Sequence, residues 1–241
     1  MEMDIPNNVT KELEVLKKDF KKFDREDHLV KTTFYITYAF LITTGTITFI
    51  EAIRTKDIKI RNILNLETCI SIVAAFFYGH FVNDLKEGVN YEVINITRYT
   101  DWAITTPIML LVLVLAFLYN TQEGAMSFTS YLIILVLNYL MLGFGYIGEI
   151  GVMDKTQSNS LGFVAFIGLY YYIYANYIEG RDNNDNRILY FAFLILWALY
   201  GVFYTMEPIF KNVGYNVLDL LSKCFVGIFF WAYFTGVFIL K

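Results

Sequence analysis

Charge is scarce in this chain, and so are the residues that stop helices or staple loops. Of 241 residues only 17% are Asp, Glu, Lys or Arg, with three prolines, two cysteines and two histidines. A soluble domain carries about a quarter charged residues, so an ordinary water-facing surface is excluded. Cys69 and Cys224 both fall inside apolar runs, which excludes a secreted-type disulfide framework and leaves them as packing residues. The first thirty residues lack an apolar core, which excludes a cleavable signal peptide. No metal site and no nucleic-acid partner is expected.

Hydrocarbon is what the chain has in excess: 56% of its residues are hydrophobic and 18% aromatic, and its mean hydropathy is +0.47. Apolar stretches of about bilayer length recur near 32–53, 63–85, 93–119, 127–148, 159–179, 187–206 and 212–240. Short polar connections separate them, among them "RTKDIKIRN", "YNTQEGAMS" and "EGRDNNDNR". With few prolines and no alternating pattern, helices are the spanning structure. The expected fold class is an all-α, multi-pass membrane protein, a seven-helix bundle whose solvent is the lipid bilayer of a plasma or host-cell membrane.

Basic residues in the connections give an orientation. Arg54, Lys56, Lys59, Arg61, Arg181, Arg187 and Lys241 share one face, against Lys86, Lys155 and Lys211 on the other. That bias predicts a cytoplasmic C-terminus and an external N-terminus. Residues 1–31 read as an N-terminal amphipathic segment ahead of the bundle at 32–241, with Val9, Leu13, Leu16, Phe20 and Phe23 at helical spacing.

Two spans carry charge where hydrocarbon is expected. "NVLDLLSKCFVGIFFW" (216–231) holds Lys223 one turn after Asp219. A lysine at the bilayer centre costs roughly 2.5–3.5 kcal/mol, so it needs a partner or a task. One reading is a structural ion pair; the other is a desolvated amine that forms a Schiff base with a carbonyl ligand. "RYTDWAITTPIMLL" (98–111) puts Arg98, Asp101 and Thr105 on one face, beside Trp102 and Thr106. A guanidinium, a carboxylate and a hydroxyl facing one interior point can receive a proton there.

With these two stretches the chain resembles the microbial (type 1) rhodopsins. "RYTDWAITTP", "DLLSK", "WALYG" (197–201) and "GYIGE" (145–149) carry the resemblance, which is proteorhodopsin-like and closest in character to the rhodopsins of large algal viruses. Gly201 stands where the family's sixth-helix pattern usually has proline. The resemblance implies no enzyme but a retinal protein, with all-trans retinal held covalently on Lys223. It implies Asp101 and Asp219 as counterions, Asp101 also as proton acceptor. Arg98 and Thr105 would form the counterion network, with Thr105 bonded to Asp101. Trp102, Thr106, Met109, Met141, Gly145, Trp197 and Tyr200 would line the retinal pocket, Met109 at the colour-tuning position. A homo-oligomer, trimer or pentamer, is the family's habit.

The family's outward proton pumps carry a donor carboxylate where this chain has Val112. Glu67, with Ser71 one turn on and Ser222 beside the lysine, forms a candidate cytoplasmic gate or replacement donor, and resembles the constriction of the viral channel-forming members. Thr37, Thr44, Asn95 and Asn216 add polar groups on neighbouring spans. The first reading is therefore a light-gated channel for protons or small cations. The alternative is a light-driven outward proton pump, and the second alternative a sensory photoreceptor. His80 is a further candidate partner of the acceptor. Asp84, Glu149 and Glu207 read by default as solvated carboxylates near the outer face.

Overall fold

A peptide group in hydrocarbon has no water to bond, so each apolar stretch must close its own hydrogen bonds, and it does so as helix. The computed structural model of the protein describes residues 7–87 and 90–236, with residues 7–26 and 87 described by backbone only. Seven helices run in chain order: α1 Asn7–Arg54, α2 Ile58–Glu87, α3 Tyr91–Asn120, α4 Phe128–Glu149, α5 Lys155–Tyr177, α6 Asn184–Tyr204 and α7 Pro208–Thr235. No strand occurs among the described residues. All but α5 are long and apolar enough to cross a membrane; α5 is diluted by its tyrosines and its polar first turns.

α1 is a single helix of 48 residues, unbroken across the expected 31/32 boundary. The amphipathic face from Val9 to Phe23, and Lys241, lie outside the described side chains.

Side-chain caps start most of the later helices. Asn90 accepts from the N–H groups of Glu92 and Val93, Ser127 from Ser130, Asp154 from Thr156 and Gln157, and Asn183 from Asn186. Each satisfies donors the helix leaves open, worth about 1 kcal/mol. Pro107 removes an N–H inside α3 and so frees the Ala103 carbonyl one turn before it. The Tyr139 phenol on α4 donates to that carbonyl at 3.0 Å, and the Tyr131 phenol donates to the Pro107 carbonyl at 3.1 Å.

α7 is not uniform. Its segment Leu220–Phe225 is π-helical, between α-helical Pro208–Asp219 and Val226–Thr235. The Val226 N–H reaches back to the Leu221 carbonyl, five residues away. Such a widened turn re-aims the side chains within it, and here it holds Lys223.

The bundle is apolar outside and polar at its heart. Phe76, Val164 and Tyr171 face outward, whereas Arg98, Asp101, Asp219 and Lys223 are each at most 1% exposed. One apolar cluster fills the space between α3, α5 and α6 around Leu113, Phe117, Leu169 and Phe193, and includes Val112. A second joins α1, α2 and α7 around Phe34, Tyr78 and Phe81.

Candidate functional site

Lys223 and Asp219, four residues apart on α7, lie 3.4 Å apart, Nζ to Oδ1. α3 brings a second carboxylate: Lys223 Nζ donates to Asp101 Oδ2 at 2.7 Å. Arg98, a turn before Asp101, sits 3.6 Å from Asp219 Oδ2. Two buried cations thus face two buried carboxylates, which avoids the uncompensated charge that would cost about 3–5 kcal/mol.

The two carboxylates differ in how they are held. Asp219 accepts a phenol on each oxygen, Tyr200 on Oδ1 at 2.6 Å and Tyr78 on Oδ2 at 2.8 Å. Asp101 Oδ1 has no protein partner among the described residues. Arg98 donates to Tyr78, Asn212 and Asn216; its guanidinium also packs over the Phe34, Phe81 and Tyr215 rings. Asn212 donates on to Asn95 at 3.2 Å, and Thr37 donates to the Asn216 carbonyl. Thr105 departs from expectation. Its hydroxyl donates to the Asp101 backbone carbonyl at 2.9 Å, not to the carboxylate, because a threonine on a helix reaches the carbonyl four residues back.

Beside this cluster lies a cavity of about 110 Å³, on a measure by which one water needs roughly 10–15 Å³. Trp102, Thr106, Met141, Gly145, Trp197 and Tyr200 line it. Met109 does not: it is buried in the adjoining apolar core. Phe163, Phe166 and Tyr204 were missed, having no motif to mark them, and Gly201, which ends the "WALYG" motif, also lines the cavity. A Cβ on Gly145 would come within 2.6 Å of the Tyr99 hydroxyl, and one on Gly201 within 2.5 Å of the Phe163 ring, so both glycines keep space open. The Trp102 indole N–H is buried without a protein partner. Trp102 and Tyr200 meet edge to face with ring centroids 5.5 Å apart, and Tyr200 joins this wall to Asp219. An elongated apolar molecule tethered at Lys223 fits these residues.

Away from this site, toward the α1–α2 connection, the interior changes character. Glu67 is 2% exposed, yet forms no hydrogen bond or ion pair with another described residue. Its Oε2 would lie 3.0 Å from a Cβ on Gly227, one turn beyond Lys223 on α7, and the Thr44 methyl would lie 2.8 Å from the same point. Ser71 is buried with an unpartnered hydroxyl, and Thr48 and Thr68 share a hydrogen bond of 2.8 Å. Ser222 is not part of this group; its hydroxyl lies 3.1 Å from the Tyr200 phenol, on the lysine's other side. The polar residues expected along one route therefore fall into two groups, with Thr37, Asn95 and Asn216 around Arg98 and Thr44, Ser71 and Glu67 beyond the lysine. His80 is exposed and packs on Phe76 at 4.6 Å, away from the carboxylates. Asp84 and Glu207 are exposed, as expected; Glu149 is not, and pairs with Lys211.

The comparisons with known proteins agree with this geometry. The profile of the Bacteriorhodopsin-like protein family matches residues 28–237. The crystal structure of a viral rhodopsin, OLPVRII, is 59% identical, superposes with a TM-score of 0.83, and is matched over 88% of this chain and 100% of its own. A green-light absorbing proteorhodopsin of Gamma-proteobacterium EBAC31A08 is 24% identical over 83% of this chain and 84% of its own. A blue light-absorbing proteorhodopsin structure from Med12 shares the fold at 21% identity, with a TM-score of 0.68 over 85% of this chain and 96% of its own. The seven-helix bundle, its buried lysine–carboxylate cluster and these matches make one conclusion: the chain belongs to the bacteriorhodopsin-like family, as an integral membrane microbial rhodopsin close to the viral rhodopsins.

Proposed function

We propose that this protein is a light-driven proton transporter, working between Asp101 on one side of Lys223 and Glu67 on the other. The observation that carries this reading is the pair of buried carboxylates flanking the amine, one in contact at 2.7 Å and one roughly a helical turn away along α7. All-trans retinal, bound covalently to the Lys223 amine, supplies light absorption and an isomerisation that redirects the proton on that nitrogen. The chain's residues do the rest.

Both oxygens of Asp219 are already engaged, because two phenols donate to them and the Arg98 guanidinium faces one of them. Asp101 keeps one oxygen free, so it is the carboxylate able to take a proton from Lys223. Once Asp101 is neutral, the charge balance around Arg98 changes, and its chain of Asn212, Asn216 and Asn95 leads away from the lysine.

Val112 is fully buried among hydrocarbon and offers no donor on α3. Glu67 supplies the missing carboxylate from α2, and a cavity of about 250 Å³ lined by Lys59, Asn62, Ile63 and Leu115 begins one turn beyond it. With this end in the cytoplasm, as the basic connections suggest, net transport is outward.

A light-gated cation channel is the second reading. The hydroxyls of Thr44, Thr48, Thr68 and Ser71 around Glu67 favour it, since they could solvate a passing cation. Photocurrents recorded across membrane potential separate the two. A current that stays outward at all voltages supports the pump. A current that reverses with the cation gradient moves the assignment to the channel. A bleaching pigment with no current in either direction defeats both.

A further inference from the structure

Glu149 and Lys211 stand outside everything derived so far. The sequence left both on a solvated outer face. In the structure Lys211 is 2% exposed and its ammonium donates to Glu149 Oε2 at 2.5 Å. The pair ties the last turn of α4 to the first turns of α7, with Lys155 of α5 at 4.0 Å from the other carboxylate oxygen. Lys211 Nζ also lies 4.7 Å from the Tyr204 ring centroid, the cavity-lining residue at the end of α6.

The position of this pair relative to Arg98 is what gives it a use. Lys211 lies 5.8 Å from the Tyr215 ring centroid and Arg98 5.7 Å from the same ring, so the two cations are within about 12 Å of each other. Tyr215 stacks on Tyr200, which donates to Asp219. Both cations are buried, and a fixed cation at that range acts on Arg98 and, through it, on both carboxylates.

We propose that Glu149 and Lys211 are an electrostatic positioning pair that sets the proton affinity of Asp101 from the Arg98 end. Lys211 repels Arg98, keeps it against Asp219, and adds its own positive potential. Glu149 tempers that potential and holds Lys211 in place. The groups facing Asp101 are Lys223 and Asp219 from α7 and Arg98 from α3, with Tyr200 of α6 and Tyr78 of α2 behind Asp219. Those facing the pair are Lys155, Tyr204, Tyr215 and Arg98. None of the others changes in the variants below.

The inference rests on Asp101 being the counterion of the retinal-bearing Lys223. Its test is a pH titration of the visible absorption of the purified, retinal-loaded protein, following the colour change as Asp101 takes up a proton. Asp101→Asn comes first: if that pigment keeps the wild-type transition, the counterion reading fails and the pair is not at issue. Lys211→Gln, which leaves Glu149 its contact with Lys155, moves the transition to higher pH, by roughly half a unit to one unit at an effective dielectric of about 20. Glu149→Gln moves it to lower pH. The double variant falls between the two single variants and stays above the wild-type value, because Lys211 is the member of the pair that faces Arg98, and Lys211→Arg stays at the wild-type value.

Opposite signs are the decisive result. A pair that merely ties helices together loosens the bundle whichever partner is lost, so shifts of the same sign, or no shift, overturn the proposal. If Lys211→Gln yields no pigment, the exchange Glu149→Lys with Lys211→Glu keeps the tether and reverses the charges. It raises the transition pH if the field matters and leaves it unmoved if only the tether does.

Discussion

The interior on either side of Lys223 is built from different chemistry. Toward Arg98 it is crowded with charge and hydrogen bonds: two carboxylates, a guanidinium, phenols from α2 and α6, and three asparagine side chains. Toward the α1–α2 connection it holds one carboxylate without a partner among the described residues, Glu67, with a few neutral hydroxyls and otherwise hydrocarbon. The difference teaches where protons can rest. In the crowded half a shifted proton alters many interactions at once and is stabilised by them. In the sparse half only Glu67 can hold one, and burial without a partner penalises its charge. On the proposed function, such an asymmetry would give a light-driven shift of one proton a preferred direction.

Abolishing the common element has the largest effect. Lys223→Ala removes the attachment point and one of the two buried cations; adding retinal to this variant should give no visible band, and a retained band would refute the assignment of Lys223. Breaking the crowded half comes next. Arg98→Ala leaves Asp219 and Asp101 with a single cation, at a cost of about 3–5 kcal/mol, seen as a lower melting temperature of the pigment and as carboxylates that protonate more readily. An unchanged melting temperature would mean that the network is not stabilised by its charges.

The sparse half should respond in rate more than in stability. Glu67→Gln is nearly isosteric and should slow recovery of the dark pigment by at least about tenfold at neutral pH in flash photolysis. Adding Val112→Asp to that variant places a carboxylate on α3 instead and should restore much of the rate. Recovery unaffected by Glu67→Gln would remove it from the pathway. The smallest effect belongs to the surface. Glu123 and Arg181 form a bidentate pair between the α3–α4 and α5–α6 connections, at 2.5 and 2.9 Å. The hydrogen bond from Arg181 is the main cause that lowers the Glu123 pKa. A carboxylate whose folded value is depressed adds stability above its unfolded value of about 4.3, and loses it as pH falls through the folded value. With water screening both side chains, that contribution stays well under about 1 kcal/mol, so Glu123→Gln should leave the melting temperature nearly unchanged at pH 7.

Part of this site was legible because its signals are local. Asp219 and Lys223 sit four apart, Arg98 and Asp101 three apart, and a helix of known pitch puts each pair on one face. Charges in runs of bilayer length are conspicuous because hydrocarbon penalises them. Threonine gave a weaker signal. Thr33, Thr43, Thr46 and Thr48 turn back to bond carbonyls of α1 itself, whereas Thr37 reaches across to α7, and nothing in the run of residues tells them apart. Glu149 and Lys211 were hidden for the opposite reason. They stand at helix ends, 62 positions apart in the chain, where charged residues normally meet water.

By itself the amino-acid sequence determined that this chain lives in a bilayer, that it spans as helices, and that a lysine and two carboxylates are buried together, since composition and helical spacing act over one or two turns. Which oxygen of which carboxylate is free was decided only by the tertiary structure. So were the widened turn at Lys223, the cavity held open by Gly145 and Gly201, the separation of the polar groups into two halves, and the burial of Lys211 against Glu149. Each of those depends on where helices distant in the chain meet, and spacing along one helix carries no record of its neighbours.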